Sequence, residues 1–373
     1  MTLNPVHFAQ SLMRCASITP LEAGTLALLE EALKPLGFVC HRQVFHGVDN
    51  LYARRGESAP NLCFAGHVDV VPPGDLAAWE YDPFSATIEG GMLYGRGASD
   101  MKAAIAAWVA AVASVPAPAR GSISLLITCD EEGPGVHGTK QMLEWLKARG
   151  ETIEGCIIGE PTNPSVLGEM VKIGRRGSIG FTLEVQGVQG HVAYPEKADN
   201  PVTRLLSILQ QLKGHKLDDG TKFFPPSNLE ITSVDVGNAA TNVIPAKASA
   251  LFNIRFNDRH KGADMAAWVE GVCRQSGANY TLKHHISAES FFCPPGKLAP
   301  LIAEAVRKET GRTPEFSTTG GTSDGRFLHR YCPELVECGL VNDTAHKVNE
   351  SASVTEIEAL TRIYTETIRR YFA

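Results

Sequence analysis

No C-x-x-C pair occurs among the nine cysteines of this chain of 373 residues, and the cysteines are scattered and odd in number. That disfavours a disulfide framework and predicts reduced thiols in a cytoplasm. No stretch approaches the ~20 apolar residues a membrane helix needs. Met1–Gln10 carries no basic segment followed by a long apolar one, so no signal peptide is expected. An excess of positive charge is missing too. The formal net charge of −6 argues mildly against a nucleic-acid partner, while saying nothing about the substrate. There is no internal repeat and no low-complexity tract. What remains is 43% hydrophobic and 20% charged, ordinary for a soluble globular enzyme and long enough for two domains.

The first 160 residues repeat one device, an apolar run that ends on residues able to bind a metal. Leu62–Ala65 runs into His67 and Asp69, Ile123–Cys129 into Asp130, Glu131 and Glu132, and Cys156–Ile158 into Glu160. Asp100 lies between a Gly-rich turn (Gly95, Arg96, Gly97) and an Ala-rich helix expected over Met101–Ser114. A further helix over Thr139–Ala148 alternates with these strands, which implies parallel β-α-β units and an α/β fold. In such sheets ligands bind at the carboxyl ends of the strands. Acids and imidazoles gathered there repel one another and resist desolvation unless a cation holds them.

The middle of the chain differs. Strands over Ser178–Gln186, Asn228–Val236 and Lys247–Phe256, with helices over Pro201–Lys213 and Ala263–Gln275, form a β-α-β-β-α-β set resembling a ferredoxin-like domain. Helices resume over Lys297–Thr310 and Val354–Tyr371. The expected organisation is a catalytic domain (1–176 and 290–373) interrupted by a lid and dimerisation domain (177–289).

Each candidate has an ordinary alternative when taken alone. His67 is equally a buried, hydrogen-bonded histidine, Asp100 a helix N-cap, and Glu131, Glu132 and Glu160 members of solvated acidic loops. Taken jointly, the alternatives require every acid to reach the same sheet edge by accident. Asp69 lies two residues after His67, so in a strand both point to one side. That suits a carboxylate fixing the orientation and tautomer of a ligating histidine.

The strings Gly66-His67-Val68-Asp69-Val70-Val71-Pro72, Gly95-Arg96-Gly97 with Asp100-Met101-Lys102, Asp130-Glu131-Glu132-Gly133 and Gly159-Glu160-Pro161-Thr162 resemble the aminoacylase/carboxypeptidase-type dizinc metallopeptidase superfamily. Gly174-Arg175-Arg176-Gly177, Gly190-His191-Val192-Ala193-Tyr194-Pro195, Thr241-Asn242-Val243, Thr322-Ser323-Asp324-Gly325 and His346-Lys347-Val348-Asn349-Glu350 resemble its desuccinylating members end to end. The likeness implies a zinc-exopeptidase-like catalytic domain and two Zn²⁺ per subunit, with Co²⁺ able to substitute. His67 and Glu160 would bind one ion, Glu132 and His346 the other, and Asp100 would bridge them. Glu131 would be the general base, Asp69 would act with the site by orienting His67, and His191 would cross a homodimer interface to help stabilise the oxyanion. Arg175, Arg255, Tyr194, Asn242, Thr322 and Ser323 are the expected substrate contacts.

The implied reaction is hydrolysis of the amide of N-succinyl-LL-2,6-diaminopimelate to succinate and LL-2,6-diaminopimelate, in the lysine and diaminopimelate pathway. Alternatives are an N-acetylornithine deacetylase, an aminoacylase or a metallocarboxypeptidase of the same superfamily, or a non-catalytic binding protein on the same fold. A structural zinc is disfavoured, because such sites are usually closed by four Cys or His ligands.

Overall fold

The computed structural model describes residues 3–373, which divide into two compact units. The first comprises the chain to Gly174, Cys293–Ser317 and Ser323–Ala373; the second comprises Arg175–Phe292 and Thr318–Thr322.

An eight-stranded sheet organises the first unit. Its order is Val39–Phe45, Val48–Arg55, Ser122–Thr128, Asn61–His67, Gly155–Ile158, Glu334–Glu337, Met170–Lys172, Glu315–Ser317. The centre is parallel. Asn61–His67 pairs with Ser122–Thr128 on one side and Gly155–Ile158 on the other, and Gly155–Ile158 pairs with Glu334–Glu337. Every residue of Ser122–Thr128 and Gly155–Ile158 is buried, as expected of a parallel sheet covered on both faces. Lys102–Ala113 is alanine-rich and buried almost all round, which lets its neighbours approach closely. Its Trp108 stacks on Phe64 of the sheet at 5.0 Å, and Tyr364 of the Val354–Tyr371 helix meets both rings edge-on. Cross-strand register sets His67 level with Thr128 and Ala65 level with Ile158. The segments that follow these strands therefore leave the sheet at one edge.

In the second unit four antiparallel strands lie in the order Asn228–Asp235, Lys247–Phe256, Gly177–Gln186, Asn279–Ala288. Ile179, Phe181, Leu183 and Val185 alternate onto one face, where Leu205, Ile208 and Leu212 of the Pro201–Gly214 helix and Met265 and Val269 of the Gly262–Gln275 helix complete the core. The connectivity is the ferredoxin-like β-α-β-β-α-β pattern. All nine cysteines are free thiols. No helix among the described residues is long and apolar enough to cross a membrane.

Candidate metal centre

His67 ends its strand buried, with Nδ1 2.9 Å from the main-chain oxygen of Asp69. A carbonyl oxygen only accepts, so Nδ1 carries a proton and Nε2 is the nitrogen turned toward the acids. It faces Asp100 Oδ1 at 3.2 Å and Glu160 Oε1 at 3.5 Å, where it donates in the absence of a metal and would offer its lone pair to a bound ion. The second oxygen of Asp100 lies 3.3 Å from His346 Nε2, which is 2.8 Å from Glu132 Oε1. Two donor groups result: His67, Asp100 and Glu160, and Asp100, Glu132 and His346. Within each, the donor atoms lie within 4.8 Å of one another. Asp100 is common to both and turns one oxygen to each histidine. Its side chain is therefore not spent on capping the helix, whose cap is Met101 without a side-chain hydrogen bond.

The electrostatics match a site built for cations. Burial and the nearby charge of Asp100 push Glu160 up to about 7. Desolvation raises Glu131 well above the ordinary carboxylate range, and the charges of Glu160, Asp324 and Glu132 add to it. Burial would raise Asp100 too, but hydrogen bonds from His346 and His67 hold it far below its usual value. Hydrogen bonds to Asp100 and Glu132 lift His346 to about 10. Two imidazole nitrogens and three carboxylates also form a donor set that suits a divalent ion pair while leaving positions open for water or substrate.

Two expectations change on contact with the structure. Asp69 does orient His67, but through its main-chain carbonyl. Its carboxylate stands 3.7 Å from the ring and instead accepts the backbone N–H groups of Glu131 (3.4 Å) and Glu132 (3.1 Å). Burial pushes that carboxyl up to about 6. Ser323, expected to contact substrate, is fully buried and donates its hydroxyl to Glu337 Oε1 at 2.5 Å. The loop carrying Glu131 and Glu132 is shaped by Asp130, whose Oδ2 accepts from the N–H groups of Val136 (2.8 Å) and His137 (2.7 Å).

The remaining expected residues belong to the second unit. His191 is exposed in a two-residue ladder with Val243, and its Nδ1 accepts the Ala193 N–H at 3.0 Å. Nε2 of its neutral ring therefore carries the proton. Tyr194 is exposed with its ring 5.8 Å from that of His191, and the Asn242 carbonyl accepts the Val192 N–H. Arg175 is buried with Nη1 near the Gly321 oxygen (3.4 Å), and Thr322 is half-buried. Arg255 is half-buried, facing Ser178 and Asn228 in register. Arg176 donates to Asn228 Oδ1 at 2.8 Å, and burial together with the charge of Arg255 lowers its pKa.

Sequence reasoning missed Arg96 and Glu350, both buried and paired at 2.7 Å. Their only signal was their place inside strings that also hold Asp100 and His346.

A parallel-centred sheet with two donor groups sharing one carboxylate at its edge defines a metal-dependent amidohydrolase with a dinuclear site. The chain belongs to Peptidase family M20/M25/M40, whose family model matches residues 63–370. It is 55% identical over 380 residues to the succinyl-diaminopimelate desuccinylase of Parvibaculum lavamentivorans, covering 99% of this chain and 96% of that one. The enzyme of the same name from Caulobacter vibrioides is 55% identical over 377 residues, covering 100% and 97%. Among solved structures, the M20 family metallo-carboxypeptidase Sso-CP2 from Sulfolobus solfataricus superposes with a TM-score of 0.80 at 17% identity, over 99% of each chain. That last likeness bears on the fold alone.

Proposed function

We propose that this chain hydrolyses the amide of N-succinyl-LL-2,6-diaminopimelate to succinate and LL-2,6-diaminopimelate, as a homodimer in a cytoplasm, with two Zn²⁺ per subunit that Co²⁺ can replace. One observation carries the chemistry: Asp100 offers one oxygen to each of two donor groups, with Glu131 beside them. The substrate follows from the names of the relatives that match the chain over nearly its whole length.

His67, Asp100 and Glu160 would hold one ion, and Asp100, Glu132 and His346 the other. When bound, the pair supplies Lewis acidity toward water and the amide carbonyl. The rest of the work falls to the chain's own side chains. Glu131, raised by its crowded surroundings, accepts the proton of the attacking water and returns it to the amide nitrogen as the C–N bond breaks. Asp69 keeps the Glu131–Glu132 backbone in place through its two accepted N–H groups. His191 presents a protonated Nε2, the form needed to donate to an oxyanion. The substrate carries three carboxylates, and guanidinium forks bind carboxylates in two-point fashion. Arg255, which has no acidic partner among the described residues, is one such fork, and Arg175 is a second. Tyr194, Asn242 and Thr322 add neutral contacts.

The test is hydrolysis of N-succinyl-LL-2,6-diaminopimelate by chelator-treated protein before and after addition of Zn²⁺ or Co²⁺, beside N-acetylornithine and other acylated amino acids. Turnover restored by metal and strongest on the succinylated substrate is expected. Metal-restored turnover that prefers N-acetylornithine would overturn the substrate assignment. No turnover on any substrate would overturn the reaction.

A further inference from the structure

The two donor groups are not supported equally. His67 and Glu160 follow strands in the middle of the parallel sheet and are almost fully buried. His346 lies in a loop, its side chain 52% exposed, and its backbone has φ of 63°. Asn349 has φ of 58°. Left-handed backbone is uncommon at residues other than glycine, more so for His346 than for an asparagine, and is kept where contacts around the segment hold it. Something must hold the 346–350 segment in that shape.

The restraint is a buried ion pair. Glu350 Oε1 accepts the backbone N–H of Ser99 at 2.9 Å and of Asp100 at 3.0 Å, while Oε2 accepts from Arg96 Nη1 at 2.7 Å. Arg96 Nη1 also donates to the Lys347 carbonyl at 3.1 Å, and Nη2 approaches the carbonyls of His346 and Pro72 at 3.4 Å each. The guanidinium lies over the Trp79 ring, and the Gly95 N–H closes the arrangement on the Glu350 main-chain oxygen at 2.8 Å. One carboxylate and one guanidinium thus join the loop bearing Asp100, the loop bearing His346 and the segment after His67. Neither side chain reaches the donor atoms.

Resting on the dinuclear reading above, we infer that Arg96 and Glu350 are positioning residues that set the spacing of Asp100 and His346, and so tune the cation held with Glu132 in preference to the one held with His67 and Glu160. The asymmetry follows from what each group stands on: sheet on one side, a clamped loop on the other. Loss of such outer contacts typically weakens metal binding by about 10–100-fold.

Calorimetric titration of chelator-treated protein with Zn²⁺ tests this without reference to turnover. Wild type should take up two ions. In Glu350→Gln, which keeps an acceptor for the two N–H groups but loses the charge facing Arg96, one ion should bind as before and the second about 10–100-fold more weakly. Arg96→Lys, which keeps the charge but loses the fork, should do the same, and it carries the test if Glu350→Gln does not fold. Retention of both affinities, or equal weakening of both, in a variant whose metal-free melting curve matches wild type would overturn the inference. Uptake of fewer than two ions by wild type would instead overturn the dinuclear reading beneath it.

Discussion

An imidazole has two nitrogens, and the group that engages one decides what the other can do. His67 and His191 show both outcomes. A carbonyl fixes the proton of His67 on Nδ1 and frees Nε2 as a ligand; an N–H fixes the lone pair of His191 on Nδ1 and leaves Nε2 as a donor. Four of the five donors were legible in the sequence, since His67, Glu132 and Glu160 follow or end apolar strands and Asp100 precedes a buried helix; His346, in a loop, was indicated only by the family resemblance. The choice between main chain and side chain was not legible. That is why the Asp69 carboxylate and the Ser323 hydroxyl serve partners that spacing alone did not indicate. At this scale the sharpest expectation concerns Glu131. Glu131→Gln keeps size and removes the basic carboxylate that accepts and returns the proton, so kcat should fall by ~10²–10⁴-fold. Metal content, measured by atomic absorption, should stay at the wild-type value. Near-normal turnover would remove Glu131 from proton transfer.

Strands and turns carry their own constraints. The strands Gly155–Ile158 and Glu334–Glu337 run parallel and side by side, and just beyond them Gly339 packs directly against the carbonyls of Gly159 and Glu160. A Cβ at 339 would fall inside van der Waals contact of both oxygens, which are backbone and have little room to yield. Gly339→Ala should therefore displace Glu160, lowering stability by about 1–3 kcal/mol through overpacking and loosening metal uptake; denaturant unfolding and metal titration would read the two effects. In the second unit Asp218 ties a turn to the end of a strand. Its carboxylate accepts from the Gly220 N–H (2.6 Å), Asn257 Nδ2 (2.6 Å) and the Ser227 N–H (3.3 Å), with His260 Nε2 at 2.9 Å. Burial alone would raise this carboxyl, yet these hydrogen bonds hold it well below its ordinary value. A folded value below the unfolded one of about 3.9 means that the stabilisation is complete above that pH and is lost as pH falls toward the folded value. Asp218→Asn should cost about 1–3 kcal/mol at neutral pH, and its deficit relative to wild type should shrink as pH drops below about 4. Unfolding curves at both pH values would show this, and a deficit independent of pH would refute it. The Gly155–Ile158 strand was readable as a short apolar run and the helices of the second unit by their apolar face, whereas Glu334–Glu337, framed by charged residues, was not read from the sequence. Nor was the turn at Asp218, because an acid that gathers backbone N–H groups looks in sequence like any surface acid.

At the scale of the whole chain, the first unit is assembled from three separate segments, and His346 arrives on the last of them. The change from parallel units to a self-contained β-α-β-β-α-β set was visible in the order of the elements. The assignment of Thr318–Thr322 to the second unit was not, since five residues are too few to show a period. The second unit also exposes His191, Val192 and Tyr194 together. If His191 serves the site of a second copy, catalysis requires the dimer, and inactive subunits should complement. His191→Ala supplies an intact Glu131, and Glu131→Gln supplies an intact His191. A heterodimer of the two therefore holds one complete site and one that lacks both groups. After subunit exchange in an equal mixture, about half the dimers are mixed, and activity should return to about a quarter of wild type per subunit. Mass spectrometry of differently tagged subunits would establish that exchange had occurred. Mixed dimers without recovered turnover would confine His191 to its own subunit or exclude it from the reaction.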